Sequence, residues 1–149
     1  MISAHARQGV TIIELIVSIG IITILFGVST PLLRTFLLRS DLDVAQNSIV
    51  QDTYRSQSLA MSGEGDSSWG VKILSGQVTV FRGTSYVTRN TGFDESYALS
   101  SSIAISGQSE YVFSKLTGFP TPIGTTTLTN AANETRSLTI NSKGMIEEQ

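Results

Sequence analysis

The sequence predicts an α+β fold in which one long N-terminal α-helix packs on an antiparallel β-sheet domain. Three patterns carry this prediction. Residues 15–33 form a run of nineteen residues without a charge. An apolar stripe at helical spacing continues to about residue 61, and after Trp69 the hydrophobic pattern has a period of two. The predicted organisation is a short hydrophilic leader at 1–9, a transmembrane helix at 10–33, an amphipathic helix at 34–62 and a β-rich globular domain at 63–149.

Composition narrows the classes of function. The chain has 149 residues, a formal net charge of -2, no cysteine and one histidine, His5. Disulfides, thiolate nucleophiles and cysteine-ligated metals are therefore excluded. No paired histidine and nucleophile, no glycine-rich phosphate loop and no metal-ligand spacing occurs in the sequence. We therefore expect no enzyme, no cofactor and no metal, although an enzyme or a ligand-binding domain tethered to a membrane remains an alternative.

The apolar segment admits three interpretations. A helix of nineteen residues rises by about 1.5 Å per residue and spans a hydrocarbon core of about 30 Å, so a plain membrane anchor is one of them. A secretory signal peptide cut at the small residues 27–29 is the second. The third takes residues 1–9 as a hydrophilic leader cut after Gly9. Only the third explains both Gly9 and the carboxylate of Glu14 at the start of the apolar segment.

The stretch from Gly9 to Val17 resembles the processing site of type IV pilins and type II secretion pseudopilins. The family pattern is Gly-Phe-Thr-Leu-Ile-Glu-Leu. Four residues match it in register: Thr11, Ile13, Glu14 and Leu15. Val10 stands where the family has phenylalanine, and Gln8 stands where a basic residue is common, with Arg7 one position earlier.

The resemblance implies a specific processing step and specific partners. A prepilin peptidase would cut after Gly9 and N-methylate Val10. The chain would then be a single-pass protein of the cytoplasmic (inner) membrane, in contact with lipid and with its globular domain outside the cytoplasm. An inner-membrane assembly platform would next move it into a helical filament of pilin or pseudopilin subunits. There Glu14 would compensate the amine of a neighbour; within one helix, residues four apart share a face, so Val10 and Glu14 could also neutralise each other.

Gly27 and Pro31 predict a break in this helix. Proline removes a backbone hydrogen bond and clashes with the preceding turn, so a kink or a melted turn is expected near residues 26–30. Many type IV pilins have a proline at this position, and filaments of the family show melting there. A proline that is simply tolerated within a membrane helix is the alternative.

The amphipathic helix and the strands follow in order. The helical stripe consists of Leu38, Leu42, Ala45, Ile49 and Leu59. The helix should end in a solvated loop at 62–68, in which Glu64 and Asp66 lack the spacing of an EF-hand calcium loop. Strands are then expected at 69–74 and 77–82 as a hairpin, at 86–88, 97–105, 111–113, 125–129 and 137–141. Residues 119–122 should form a loop, because proline cannot donate to a central ladder.

The predicted function is that of a structural subunit. The pairing of Trp69 with Gly70, and the closing strand that leads to Gly144, resemble the minor pseudopilin GspH and minor pilin FimT group, which favours a minor subunit of a pilus or pseudopilus. The alternative is a DNA-binding minor pilin of a DNA-uptake system. Its candidate phosphate contacts would be Arg82, Arg89, Lys115, Arg136 and Lys143. Without Arg7 the mature chain has nine basic and twelve acidic residues (ten minus one; twelve unchanged), which makes nucleic acid an improbable partner.

Overall fold

The computed structural model describes residues 9–149, without the side chains of residues 28–33. The predicted leader therefore lies outside the described residues except for Gly9. Within the described part, one helix, α1 (Ile12–Ser62), precedes nine strands. The chain divides into two compact units, one up to Phe36 and one at Leu37–Gln149.

The first unit contains the start of α1. Thr11 precedes the helix and acts as its N-cap, because its Oγ1 accepts a hydrogen bond from the backbone N–H of Glu14 at 3.3 Å. The helical assignment continues through Gly27 and Pro31 without interruption. This continuity agrees with a tolerated proline, while the break at Gly27 and Pro31 stays a prediction for the chain in a membrane or a filament.

The span expected at 10–33 is not confirmed as a membrane helix. Among the described residues, no helix combines the length and the apolarity that crossing a membrane requires. Residues 28–33, whose side chains are not described, lie within that segment.

The second unit contains the rest of α1 and all the strands. The helix ends as predicted: Gly63 adopts a left-handed conformation with φ of 70°, as is common just past a helix C-terminus. Ala60 receives backbone hydrogen bonds from Gly63 (3.1 Å) and Leu116 (2.8 Å). A single turn of 3₁₀ helix at Glu64–Asp66 follows.

The strands form two antiparallel sheets, a division that the sequence pattern did not specify. The first sheet has the order β3-β2-β1-β5-β6 and the second has the order β4-β7-β8-β9. The strands are β1 (Trp69–Leu74), β2 (Gln77–Arg82), β3 (Asn90–Ala98), β4 (Ala104–Gly107), β5 (Glu110–Phe113), β6 (Pro120–Thr121), β7 (Gly124–Thr129), β8 (Thr135–Ile140) and β9 (Ile146–Glu148). The predicted hairpin of β1 and β2 is confirmed, with Gly76 at φ of 82° in its turn.

Two of the expected strands, at 86–88 and 97–105, and the expected loop at 119–122 were wrong in part. Residues 86–88 form a turn, because Arg89 stacks on the Tyr86 ring at 3.7 Å and donates to the Tyr86 carbonyl. Residues 97–105 do not form one strand, since the chain leaves the first sheet after Ala98 and enters the second at Ala104. Pro120 lies in the two-residue strand β6 at a sheet edge, where its missing N–H costs no ladder bond.

The core lies within the second unit and includes the helix and both sheets. The helical stripe contributes Leu42, Ala45 and Ile49, all buried, while Leu38 and Leu59 are half-buried. The fully buried aromatic side chains are Phe81, Tyr111 and Phe113. The Tyr111 hydroxyl links the sheets, because it lies 2.9 Å from the hydroxyl of Thr126 on β7. Burial raises the pKa of Tyr111.

Candidate functional site

The predicted processing site is accessible. Gly9 and Val10 precede the helix and are exposed, and a Cβ built on Gly9 meets no atom within 4 Å. Exposed, non-helical backbone of this kind is where proteolytic cleavage concentrates. The structure therefore presents the peptide bond after Gly9 as one that a peptidase could reach.

Glu14 lies in the first turn of α1, with its side chain exposed. A carboxylate at this position interacts favourably with the partial positive charge of a helix N-terminus. Val10, however, lies outside the helix, which begins at Ile12. The argument from helical spacing therefore does not apply to Val10 and Glu14 in this form of the chain, and charge compensation by Glu14 stays a prediction.

Thr11 caps the start of α1, a role that the apolar pattern and the family motif did not identify. Together with Glu14 it forms the sequence of a capping box, in which a threonine N-cap is followed three residues later by a glutamate. The observed bond from the Glu14 N–H to the Thr11 hydroxyl is half of that motif. The Ser/Thr-x-x-Glu spacing before an apolar run could have identified it.

The first unit exposes a continuous apolar surface. Residues 9–27 are all exposed, and twelve of them are large hydrophobic side chains between Val10, at 72% exposure, and Phe26, at 74%. The hydroxyl of Thr23 donates to the Ile19 carbonyl at 2.8 Å, so its hydrogen bond is made within the helix. Surfaces this apolar are typical of protein–protein or membrane contacts.

A second candidate site is a cleft of about 260 Å³ in the globular unit. It is lined by α1 and by Tyr97 of β3, with α1 contributing Ser48, Gln51, Asp52 and Arg55. Arg55 forms a two-point ion pair with Glu95, with N–O distances of 2.5 and 2.7 Å. This pairing raises the pKa of Arg55 and lowers the pKa of Glu95.

Asp52 is the unusual group in this cleft. It is only 7% exposed, and burial, assisted by the nearby Glu95 carboxylate and partly offset by Arg55, raises its pKa to about 6. Two other polar residues buried on this stretch of α1 are satisfied by the helix itself, since Thr53 donates to Ile49 and Ser56 to Thr53. Among the described residues, Asp52 has no hydrogen bond or ion pair.

The unusual position of Asp52 could have been recognised from the sequence. Positions 45, 49, 52, 56 and 60 recur at helical spacing, so they share one face of α1. Asp52 is the only one of these positions that carries an ionisable side chain. A carboxylate on the buried face of an amphipathic helix is a recognisable exception to the pattern of that face.

The raised pKa of Asp52 predicts how stability depends on pH. The folded chain binds the proton of Asp52 more tightly than the unfolded chain does. The stabilisation of the fold by this proton is therefore fully present below the ordinary aspartate pKa of 3.8 and is lost as pH rises through about 6. We expect Asp52→Asn to raise the free energy of unfolding at pH 7 by about 2 kcal/mol. Urea unfolding of the full chain in detergent, followed by the fluorescence of Trp69, measures this difference.

The matched control is Asp41→Asn, which changes an exposed carboxylate of the same helix. It should leave stability within about 0.5 kcal/mol of the wild type. Equal effects of the two substitutions at pH 7 would show that burial of Asp52 carries no energetic penalty.

The candidate DNA contacts are largely engaged with partners inside the chain. Arg89 pairs with Asp94 at 2.8 Å, Arg136 with Asp43 at 3.1 Å, and Lys115 with Asp66. Arg82 binds the Gly65 carbonyl and lies 4.7 Å from the centre of the Phe93 ring. These contacts reduce the charge available to phosphates, and DNA binding stays an alternative.

Comparison with known proteins adds one finding. No family model matches the chain, and no curated protein does. Among solved structures, the minor pseudopilin EpsH from the type 2 secretion system of Vibrio cholerae matches with a TM-score of 0.53 and 13% sequence identity. The match covers 73% of this chain and 96% of that chain. At this identity the likeness concerns the fold, and the chain therefore has a fold similar to that of a minor pseudopilin.

Proposed function

We propose that this chain is a structural subunit, and a minor one, of a type II secretion pseudopilus or a type IV pilus. The observation that carries the proposal is the combination of an exposed apolar helix with a globular unit of minor-pseudopilin fold. An exposed apolar helical surface needs a cover of lipid or protein, and a helical filament provides such a cover for every subunit. Heterologous contacts of this kind do not close on themselves and therefore propagate.

In this proposal the N-terminal segment has two successive environments. Before assembly, residues 10–33 lie in the cytoplasmic membrane, with the globular unit outside the cytoplasm. After a prepilin peptidase cuts behind Gly9, the assembly platform moves the segment from lipid into the filament. The absence of a charge from Leu15 to Leu33 suits both environments, and Glu14 is the one carboxylate that must find a partner in each.

The processing step is tested by mass spectrometry and N-terminal sequencing. When the chain is coexpressed with a prepilin peptidase, we expect a product that begins at methylated Val10. A Gly9→Val variant should remain uncut, because the β-branched side chain replaces the glycine that the family motif requires before the cut. The matched control is Gly20→Val, which makes the same substitution at an exposed helical glycine with open space around it and should leave processing unchanged.

Two results would contradict the proposal. A product beginning at Thr30 would identify a signal peptide, and the apolar helix would then be absent from the mature protein. An uncut wild-type chain would identify a tethered domain, and the assembly role of Glu14 would have no amine to act on.

A further inference from the structure

The globular unit exposes a group of large apolar side chains where α1 ends. Each of them is more than half exposed, and together they are called the end patch: Met61, Leu116, Phe119 and Met145. The N–H of Leu116 donates to the carbonyl of Ala60 at 2.8 Å. A Cβ built on Gly118 would lie 2.5 Å from Cγ of Met61, and one built on Gly144 would lie 3.1 Å from the Gly118 carbonyl oxygen. The end patch is therefore one surface, formed by the end of α1 and two loops.

Leu116 is the unusual member of the end patch. Its φ of 65° lies in the left-handed region, which a side chain with a Cβ adopts only at a cost in free energy. This conformation presents the leucine side chain to solvent, so burial within the described chain does not offset the strain. Strained backbone is concentrated at binding and switching sites, and exposed apolar patches mark contacts with other molecules. Both features indicate that the end patch has a partner.

Two opposite charges flank the end patch. Lys143 precedes Gly144, and a Cβ built on Gly144 would meet the side chain of Gln57. Glu64 follows Gly63, just past the end of α1. Because Gln57 and Gly63 are six positions apart, or about 9 Å along a helix axis, the lysine and the glutamate lie on different sides of the apolar group.

Both of these charges are available to a partner. Within the described part of the chain, neither the ammonium group of Lys143 nor the carboxylate of Glu64 makes an ion pair or a hydrogen bond. Lys115 and Asp66, which also lie near the end of α1, pair with each other. The end patch therefore offers one free cation and one free anion beside an apolar centre.

A surface with this arrangement is complementary to itself. If a twofold axis passes through the end patch, the cation on one side of each copy faces the anion of the other copy. The apolar side chains of the two copies then meet between two identical ion pairs, as an isologous contact requires. A second copy of this chain thus fits both the apolar and the charged parts of the end patch.

We propose that the end patch joins two copies of this chain into a twofold-symmetric dimer, in which Lys143 of each copy pairs with Glu64 of the other. Four half-exposed side chains offer roughly 400 Å² on each copy, or about 800 Å² in total. This area is below the roughly 1,200 Å² of a stable interface, so the dimer is weak. The contact uses the globular unit alone and does not rest on the proposed function.

The test measures self-association of the full chain in detergent, with detergent in excess so that most micelles hold one chain. Ser40→Cys adds the one thiol to a chain without cysteine, at an exposed position, and separate samples receive a donor or an acceptor fluorophore. We expect energy transfer that rises with protein concentration. Leu116→Ser should raise the dissociation constant at least about tenfold, because both copies lose the side chain. Leu74→Ser, at an exposed leucine of the β1–β2 hairpin, should leave it unchanged.

Charge reversal tests the arrangement of the two copies. Lys143→Glu places carboxylates opposite each other, and Glu64→Lys places ammonium groups opposite each other. Each variant alone should dimerise at least about tenfold more weakly, because the twofold axis doubles the effect of each change. In a mixture of the two variants both contacts again join opposite charges, so the mixed dimer should return to within about threefold of the wild-type affinity. Asp41→Lys, at an exposed carboxylate elsewhere on α1, should leave the affinity unchanged.

Three results would overturn the inference. The first is a wild-type chain that stays monomeric up to about 300 μM. The second is association that Leu116→Ser leaves unchanged, since the end patch then does not carry the contact. The third is a mixture of the Lys143→Glu and Glu64→Lys chains that associates no more tightly than either variant alone. Processing after Gly9 is measured separately, so a failure here leaves the proposed function standing.

Discussion

A Glu14→Gln variant should be processed normally and should enter filaments at about a tenth of the wild-type level or less. The change removes the charge and keeps the length of the side chain. An amine buried in a filament without its carboxylate loses an ion pair worth several kcal/mol, of which about 1.4 kcal/mol already gives a tenfold effect. Glutamine also serves in a capping box, so the start of α1 should remain intact. The measurement is the fraction of processed chain in sheared filaments relative to membranes.

A second variant separates the charge of Glu14 from its place in the cap. Thr11→Ala removes the hydroxyl that accepts the Glu14 N–H and should cost about 1 kcal/mol of helix stability. It leaves the carboxylate in place, so assembly should fall less than in Glu14→Gln. If Glu14→Gln assembles like the wild type, or if Thr11→Ala is the more defective variant, Glu14 acts through helix stability and charge compensation is not its role.

Gly70→Ala should lower the free energy of unfolding by about 3 kcal/mol, although it adds a single methyl group. A Cβ at this position would lie 2.5 Å from Cζ of Phe81 and 2.7 Å from the carbonyl oxygen of Tyr111. Phe81 is fully buried and Tyr111 lies on the neighbouring strand β5, so neither atom can move aside without disturbing the first sheet. Denaturant unfolding of the full chain in detergent, followed by circular dichroism, measures the loss.

Gly92→Ala is the matched control for this substitution. Gly92 also lies in a strand, but β3 is at the edge of its sheet, and the nearest atom to a Cβ there is 3.4 Å away. Stability should stay within about 0.5 kcal/mol of the wild type. If the two variants lost similar amounts of unfolding free energy, the general cost of replacing glycine in a strand, and not the contact with Phe81, would explain the destabilisation by Gly70→Ala.

The elements that depend on local pattern could be predicted from the sequence. The stripe of Leu42, Ala45 and Ile49 identified the buried face of α1, and Gly63 marks its observed end. The hairpin around Gly76 followed from a glycine turn between two alternating runs. In each case the information lies within a few residues of the element that it specifies.

The division into two sheets could not be predicted in this way. The division depends on the pairing of β4. This strand pairs with β7 and not with β3, which precedes it in the sequence. The pairing that forms the second sheet joins residues far apart in the chain, such as Ala104 with Thr129. The cleft was overlooked for the same reason, because Arg55 and Glu95 are 40 positions apart.

The cap at Thr11 has a consequence for the proposed processing step. Its hydroxyl and its bonding partner both lie after the peptide bond that the peptidase would cut, so this capping bond would remain in the processed chain. If the peptidase cuts behind Gly9, the residues that are removed and the residues that form this cap occupy separate stretches of the chain. Cleavage would place a new charged amine on Val10, just before a helix that begins at Ile12 and whose observed cap does not involve the cut bond.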